Sequence, residues 1–219
     1  MNIVRLRFPI LTPAMIPVDH AEPLFAAISR IVPIVHEADA EVAISSIRGN
    51  ANFGSSIWIG EGGWFCIQSS IELVPELLKL AGRSLLIGNV KILIGIPQIT
   101  PILPSSILIS RFVTVRGKNT EDELSDYIHN WINKNLISDL SENITYEVRI
   151  LRRRIITVHR KKIYGFGVKI QNISDPELSV RIQCRPPGGR RRYGGSFFHP
   201  VSEENISRTG ETKVGAILS

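Results

Sequence analysis

The chain has 219 residues, enough for one domain or two small ones, and its 43% hydrophobic content is ample for a packed core. Its net charge of +6 favours an anionic partner. The charge is concentrated, because residues 149–192 hold thirteen Lys or Arg and two acidic residues, a net of +11, and the remainder nets −5. Such clustering is typical of a nucleic-acid-binding surface rather than of a generally basic protein.

The sequence argues against a metal-binding, secreted or membrane-spanning protein. Cys66 and Cys184 lack metal-type spacing and are interpreted as reduced thiols. The N-terminus alternates apolar and polar residues instead of offering a signal-peptide core, and prolines and polar residues interrupt the apolar stretch 84–109 too often for a membrane span. No metal-ligand cluster, carboxylate pair or Ser/His/Asp arrangement stands out. We therefore predict a soluble cytoplasmic protein with no metal and no cofactor.

Residues 1–97 show the order strand, helix, strand, strand, helix, strand, which is that of a ferredoxin-like domain. Asp19 is predicted to cap the first helix, with Glu22 completing a capping box, and Pro33 is expected to end or kink that helix. The other elements are strands over 2–10 and 41–47, a hairpin or one bulged strand over 57–69, a short helix over 71–81, and strand material over 85–96 with a turn at Gly88-Asn89.

Three prolines over 97–104 indicate a linker, after which the pattern restarts over 105–202. Asp175 and Pro176 have the types expected at the N-cap and first position of a helix, and residues after about 202 are polar and predicted to be a loose tail. The fold class is therefore α+β, two ferredoxin-like (RRM-like) domains in tandem, 1–97 and 105–202, with a C-terminal Gly/Arg-rich loop. The second domain's elements are strands over 107–116, 144–150, 155–158, 163–170 and 196–201 and helices over 121–136 and 175–183.

The Gly/Arg loop, which we define as residues 185–200, places glycines around three consecutive arginines. Glycine lets backbone N–H groups approach a ligand closely, and arginine binds phosphate bidentately. No Lys-Ser or Lys-Thr follows, so the loop is not a nucleotide P-loop, and its tyrosine suits stacking on an RNA base. Taken alone, the run fits a solvated basic loop about equally well. The residues predicted to bind RNA here are Gly188, Gly189, Arg190, Arg191, Arg192 and Tyr193.

A second basic run lies on a predicted strand–turn–strand and is predicted to bind the phosphates of an RNA hairpin. Three adjacent arginines are costly to cluster without an anion, which favours this interpretation over a solvated hairpin. By contrast, Trp58, Trp64 and Trp131 sit in apolar patterns and are predicted to be core residues rather than stacking platforms. The basic run consists of Arg152, Arg153, Arg154, Arg160, Lys161 and Lys162.

Four segments carry a resemblance to a known family: 19–39, Ile47-Arg48-Gly49, 110–115, and 164–168 continuing to 187–198. Together they resemble the CRISPR repeat-processing endoribonucleases of the Cas-six family, in the Myxococcus-type branch. The resemblance implies two ferredoxin-like domains, in agreement with the pattern above. Two departures lie in the Gly/Arg loop: Pro186-Pro187 precedes the double glycine where the family usually has a small residue, and Gly194-Gly195-Ser196 replaces Gly-Cys-Gly.

The resemblance also implies a reaction, a metal-independent cut within each repeat of a precursor transcript. The 2′-hydroxyl attacks the phosphate and the 5′-oxygen leaves, which gives a 2′,3′-cyclic phosphate and a 5′-hydroxyl. Such chemistry needs a base, an acid and a group that holds the phosphorane charge, and histidine suits both proton transfers.

By the same resemblance, His36 is the first candidate for the catalytic histidine. His20 is the second, and it lies near a helix N-terminus, where the dipole favours the neutral imidazole. Ser29 stands on the helix where some relatives place an assisting tyrosine, and Arg48 is a candidate holder of the scissile phosphate. Of the other histidines, we expect His129 and His199 to be structural and His159 to contact the RNA backbone.

The implied partner is CRISPR repeat RNA, as precursor and as product, and no membrane. Subunits of a CRISPR effector complex and a second copy of the chain, as a homodimer, are further partners that the resemblance admits. Two alternatives stay open: a non-catalytic RNA-binding subunit of such a complex, and a general basic RNA-binding module.

Overall fold

The computed structural model describes residues 2–37, 40–140 and 143–201. Two four-stranded antiparallel sheets follow one another along the chain, each with two helices. The strands are β1 (Ile3–Pro9), β2 (Ala14–Pro17), β3 (Ala43–Ile44), β4 (Ala51–Phe53), β5 (Ser56–Ile59), β6 (Trp64–Ser70), β7 (Ser84–Ile87), β8 (Val90–Leu93), β9 (Gln98–Pro101), β10 (Leu108–Val113), β11 (Glu147–Val158), β12 (Lys161–Gln171) and β13 (Phe198–Pro200). The helices are α1 (Ala21–Ile31), α2 (Val74–Leu77), α3 (Glu121–Asn135) and α4 (Pro176–Cys184), with 3₁₀ turns at Pro33–His36, Ile71–Leu73, Leu78–Leu80 and Arg191–Tyr193.

Both sheets have the same topology. The first has the strand order β3-β6-β1-β9 and the second the order β11-β12-β10-β13. In each case the first and third strands of a strand–helix–strand–strand–helix–strand unit lie in the centre, which is the ferredoxin-like arrangement. The predicted fold class is thus confirmed: the chain is a tandem of two ferredoxin-like units.

Each unit has its own hydrophobic core. Helix α1 buries Leu24, Phe25 and Ile28 against the face of β1 that carries Leu6 and Phe8. In the second unit, α3 and α4 cover β10 and β12 in the same way. The outer face of each sheet is left for other contacts, because successive strand residues point to opposite sides.

A buried polar network joins the two units. The guanidinium of Arg5, on the outer face of β1, donates to Gln68 Oε1 at 3.2 Å, to Gln183 Oε1 at 3.2 Å and to the carbonyl of Phe198 at 2.9 Å. Gln68 Nε2 donates in turn to the carbonyl of Gln183 at 2.8 Å. The first sheet is therefore bonded to α4 and β13 of the second unit.

Helix and hairpin boundaries were predicted best. Helix α1 stops at Ile31, just before Pro33, as proline requires. Thr120 and Glu123 form a capping box at α3, and Asp175 accepts a hydrogen bond from Leu178 N at the start of α4. The hairpin β7–β8 turns at Gly88-Asn89 as predicted.

Several strand predictions were wrong. The segment 57–69 is neither a hairpin nor one strand, because β5 pairs with β2 and β4 in a separate sheet while β6 enters the main one. Residues 98–101 of the predicted linker form β9, which pairs with β1. The predicted strand over 41–47 shrinks to β3, and the strands predicted over 144–150 and 155–158 become the single strand β11. The predicted tail after residue 202 lies outside the described residues.

Candidate functional site

The backbone of the Gly/Arg loop turns tightly, and at one position it leaves room only for glycine. Arg190 (φ 62°) and Gly194 (φ 77°) are left-handed and flank the 3₁₀ turn Arg191–Tyr193. The N–H of Gly195 donates to the carbonyl of Arg190 at 3.0 Å, and a Cβ on Gly195 would lie 2.3 Å from the carbonyl oxygen of Gly189. Glycine at 195 is thus required by close backbone approach.

Arg192 attaches this loop to the segment that contains His36. Its guanidinium donates to the carbonyl of His36 at 3.0 Å, to that of Ala40 at 3.1 Å and also to the carbonyl of Glu37. These carbonyls lie at and just after the end of the 3₁₀ turn Pro33–His36, and a guanidinium fork satisfies several acceptors at once. The loop and the predicted catalytic histidine are therefore brought together by direct contact, although 156 residues separate them in sequence.

Aromatic rings extend this contact. Tyr193 packs edge-on against Phe25 with ring centroids 4.9 Å apart, and Phe25 lies 5.6 Å from the ring of His36. His36 itself is exposed. Burial and the Glu22 carboxylate raise the pKa of the Tyr193 hydroxyl, against smaller opposing effects of nearby arginines. The imidazole of His36 thus stands at the edge of the loop with its ring open to solvent.

His20 is placed differently. It is 2% exposed, its Nδ1 lies 2.9 Å from the carbonyl of Pro17, and the N–H of Ile47 donates to its Nε2 at 2.9 Å. Because Nε2 accepts, the proton must be on Nδ1 and the ring must be neutral. Burial, with a contribution from Arg111, lowers the pKa of His20 to about 4. This geometry supports a structural role that joins α1 to the segment after β3, and it argues against proton transfer by His20.

Ser29 and Arg48 make contacts of their own. The Ser29 hydroxyl donates to the carbonyl of Phe25 one helical turn earlier, at 2.7 Å. Arg48 bridges to Trp64 at the far end of the segment that begins with β3, and its guanidinium lies over the Trp64 ring at 5.5 Å. Ala43 pairs with Gln68 and Arg48 with Trp64, so Arg48 is about 13 Å along β6 from the start of β3.

The long β11–β12 hairpin, which carries the second basic run, docks on the start of α1. The N–H of Thr157 donates to both carboxylate oxygens of Asp19 at 3.1 and 3.0 Å. His159, at the hairpin turn, donates through its N–H to Glu22 at 3.0 Å, and its Nδ1 lies 3.1 Å from the same oxygen. The predicted capping box at α1 is therefore wrong: His20 is the N-cap residue, with no side-chain cap, because the two carboxylates bind the hairpin backbone instead.

A basic cleft of about 270 Å³ lies between the hairpin and α1, and the sequence predicted only part of its basic lining. Arg111 lines it together with Arg152, Arg153 and Arg154, opposite His20. Burial and neighbouring arginines lower the pKa of Arg111 to about 10 and that of Arg154 to about 9. Arg111 sits on an apolar strand far from both basic runs, so only its presence in the 110–115 motif could have drawn attention to it.

Elsewhere in the described residues, the cysteines and the other histidines do not form a second catalytic or metal site. In the described ranges 2–37, 40–140 and 143–201, no three His, Cys, Asp or Glu side chains come together in a way that could hold a metal ion, and no helix combines the length and the apolar character that crossing a membrane requires. Cys66 and Cys184 are free thiols. His129 stacks on Tyr146 at 5.2 Å, away from the loop, as expected of a structural histidine.

The chain is similar to known proteins over most of its length. Residues 4–203 match the family model described as Cas6 Crispr. The chain is 32% identical over 200 residues to the CRISPR-associated endonuclease Cas6 of Myxococcus xanthus, which covers 91% of this chain and 82% of that protein.

Solved structures agree in fold. A CRISPR-associated protein Cas6 has a TM-score of 0.58 at 14% identity and covers 92% of this chain and 99% of its own. The product of a Cas6-related gene from Pyrococcus furiosus has a TM-score of 0.57 at 14% identity, with coverage of 92% and 99%. The extent of these matches, over nearly the whole described chain, leads to one conclusion: this chain belongs to the Cas6 family.

Proposed function

We propose that this chain is a metal-independent endoribonuclease that cuts precursor CRISPR RNA within its repeats. The 2′-hydroxyl upstream of the cut attacks the phosphate, the P–O5′ bond breaks, and the products carry a 2′,3′-cyclic phosphate and a 5′-hydroxyl. One observation carries the proposal, namely that Arg192 binds the carbonyls of His36 and Ala40 and so holds an exposed imidazole beside a glycine- and arginine-rich loop.

His36 is assigned the role of general acid that protonates the departing 5′-oxygen. Its exposed ring can reach a bound strand, and histidine is the side chain that most often serves as a general acid. His20 and Ser29 are not given proton-transfer roles, because their polar atoms are bonded within the protein. The reaction is one of proton transfer and charge stabilisation, which side chains and backbone amides can supply.

Two basic surfaces hold the RNA in this proposal. The Gly/Arg loop offers Arg190 and Arg191 and the backbone at Gly188 and Gly189, and it lies next to His36. The β11–β12 hairpin and the cleft lined by Arg111 form the larger positively charged surface. Arg160, Lys161 and Lys162 of the hairpin turn also contribute to it. Concentrated positive charge supplies most of the affinity for a nucleic acid through release of its counterions.

Similarity to other proteins supports an RNA substrate. The Myxococcus xanthus relative is named an endonuclease. A solved structure with a TM-score of 0.58 at 13% identity, which covers 92% of this chain and 100% of its own, is described as a RAMP protein binding different RNA substrates. The alternative of a non-catalytic RNA-binding subunit would keep the loop and the cleft but would not turn over.

The test is incubation of the purified protein with the repeat RNA transcribed in the organism that encodes it, with and without EDTA, followed by end-group analysis. We expect one cut per repeat, unchanged by EDTA, with a 2′,3′-cyclic phosphate or its opened form upstream and a 5′-hydroxyl downstream. Loss of cleavage in EDTA, or a 5′-phosphate product, would contradict the mechanism. Tight binding without any cut would favour the non-catalytic subunit.

The role of His36 has its own variant. His36→Ala is expected to reduce the single-turnover cleavage rate by at least about 100-fold, because one general acid contributes typically 10²–10⁴, while the repeat-RNA Kd stays within a few fold. His129→Ala is the matched control, since His129 stacks on Tyr146 instead, and it should cleave as the wild type does. If His36→Ala cleaves at the wild-type rate, the assignment of the acid fails.

A further inference from the structure

Arg7 and Arg48 lie on the outer face of the first sheet, on either side of Trp64. In β1 the side chains of Leu6 and Phe8 enter the core, so Arg7 points to the opposite face. Arg48 comes from the other neighbouring strand, through its bridge to Trp64 on β6. Strands on both sides of β6 therefore supply one exposed arginine each.

Trp64 orients both guanidiniums. The Arg7 guanidinium lies 4.6 Å from the Trp64 ring centre and that of Arg48 lies 5.5 Å from it. His199 packs edge-on against the same indole at 5.4 Å. Trp64 is half-buried, and the prediction that it belongs to the core was incomplete: its ring is a support on which two arginines stack, an arrangement that fixes the direction of their donors.

Arg7, Arg48, Trp64 and His199 form one cluster with a net positive charge. Within the described parts of the chain, no carboxylate forms an ion pair with either arginine. Burial and then the neighbouring Arg7 lower the pKa of Arg48, and burial and three arginines lower the pKa of His199 well below its ordinary value. Two oriented guanidiniums that no described carboxylate pairs with fit a phosphate.

The cluster is continuous with the Gly/Arg loop. His199 follows Gly195 by four residues, so the two are at most about 13 Å apart along the chain. Between them, Phe197 is buried against Trp64 and Cys66. An RNA strand that leaves the loop along β13 would therefore meet Arg7 and Arg48 next.

We propose that Arg7 and Arg48 clamp one phosphodiester of the repeat RNA that is not the scissile one, with Trp64 as the residue that positions them. The identity of the RNA rests on the proposed function. The clamp changes the expectation for Arg48, because its separation from the start of β3 sets it apart from His36 and Ala40, whose carbonyls Arg192 binds. It also adds a binding residue, Arg7, that lies outside both basic runs.

The first test is the salt dependence of binding. Loss of one phosphate contact to a single strand should reduce the slope of log Kd against log salt by about 0.7. We expect Arg7→Gln to reduce this slope by that amount and to weaken binding about tenfold at moderate salt, as the loss of a charged hydrogen-bond pair does. Arg83→Gln, an exposed arginine of the same unit, is the matched control. Equal slopes in Arg7→Gln and Arg83→Gln would overturn the clamp.

The second test locates the phosphate. Each linkage of the repeat RNA is replaced in turn by an uncharged methylphosphonate, with a 2′-deoxy nucleotide at the mapped cut so that binding is measured without cleavage. In the wild type, one linkage away from the cut should weaken binding about tenfold, as in the first test. In Arg7→Gln, the same replacement should weaken binding clearly less, because only Arg48 still contacts that phosphate. An undiminished effect in Arg7→Gln, or one confined to the scissile linkage, would refute the proposal.

Trp64 is tested as a positioning residue. Trp64→Leu should weaken binding and abolish the effect of the methylphosphonate at that linkage. Trp64→Phe, which still offers a ring, should retain most of the affinity and most of the methylphosphonate effect. Wild-type behaviour of Trp64→Leu would contradict the positioning role. If Arg7→Gln does not fold, as judged from its urea midpoint, Arg7→Lys is used instead. Arg7→Lys should keep the salt slope and lose affinity. Unchanged affinity would count against a bidentate contact. These readouts need binding only, so unmodified RNA gives the same answer even if no cleavage is found.

Discussion

Acidification should weaken this fold, and the buried ring of His20 accounts for part of the effect. The ring is neutral because Nε2 accepts from the N–H of Ile47 and Nδ1 faces the carbonyl of Pro17. Its pKa is lowered to about 4 in the folded chain, against about 6.5 in an unfolded one. The unfolded chain therefore takes up a proton first as the pH falls, and the folded state is progressively disfavoured.

The size of the effect follows from the two pKa values. Above about pH 6.5 the neutral ring is favoured in both states and full stability is retained. Between pH 7.5 and pH 5 the linkage removes about 2 kcal/mol, and the loss approaches about 3 kcal/mol at pH 4. This is a substantial part of a typical stability of about 5–15 kcal/mol.

Urea unfolding of the wild type and of His20→Gln at several pH values isolates the contribution. Gln can still accept from Ile47 but does not titrate, so it should cost on the order of 1 kcal/mol at pH 7.5 and then lose about 2 kcal/mol less than the wild type on going to pH 5. Every other ionisable residue is present in both proteins, so the difference between the two pH profiles reports on position 20. Parallel pH profiles would refute a buried, neutral His20.

Two further outcomes concern the loop. Gly195→Ala should lower the unfolding midpoint more than Gly189→Ala, because a Cβ at 195 would lie 2.3 Å from the Gly189 carbonyl oxygen, whereas a Cβ at 189 meets no atom within 4 Å. Equal urea midpoints of the two variants would speak against the loop geometry. Arg192→Lys should slow single-turnover cleavage more than it weakens binding, because an ammonium cannot reproduce the guanidinium contacts to the carbonyls of His36 and Ala40. A change in Kd without a change in the cleavage rate would show that the contact does not position His36.

Local signals predicted much of the fold. Pro33 ends α1, Gly88-Asn89 turns a hairpin, and Asp175 caps α4, because each of these effects depends on the residue's own backbone or on its neighbours within one turn. Strand partners were predicted less well. The β5 segment looks like one arm of a hairpin with β6, but pairing depends on which other strands compete for its edge, and β2 and β4 occupy it.

Asp19 and Glu22 show how tertiary contacts override a local pattern. Their spacing is that of a capping box, yet the β11–β12 hairpin offers backbone donors from the other half of the chain, and both carboxylates take them. The same kind of long-range contact separates the two candidate histidines, since His20 is bonded at both nitrogens and the ring of His36 is exposed. Arg111, on an apolar strand, becomes notable only where it meets the basic hairpin across a cleft.

By itself, the sequence determined the tandem of two ferredoxin-like units, the concentration of positive charge after residue 149, and the glycine-rich backbone of the loop. These follow from periodicity, composition and the conformational range of single residues. Only the tertiary structure decided which histidine stands free beside that loop and that Arg7 and Arg48 converge on Trp64. The physical reason is that hydrogen-bond partners and buried charges are set by groups distant in sequence, and no local pattern records which of those groups will meet.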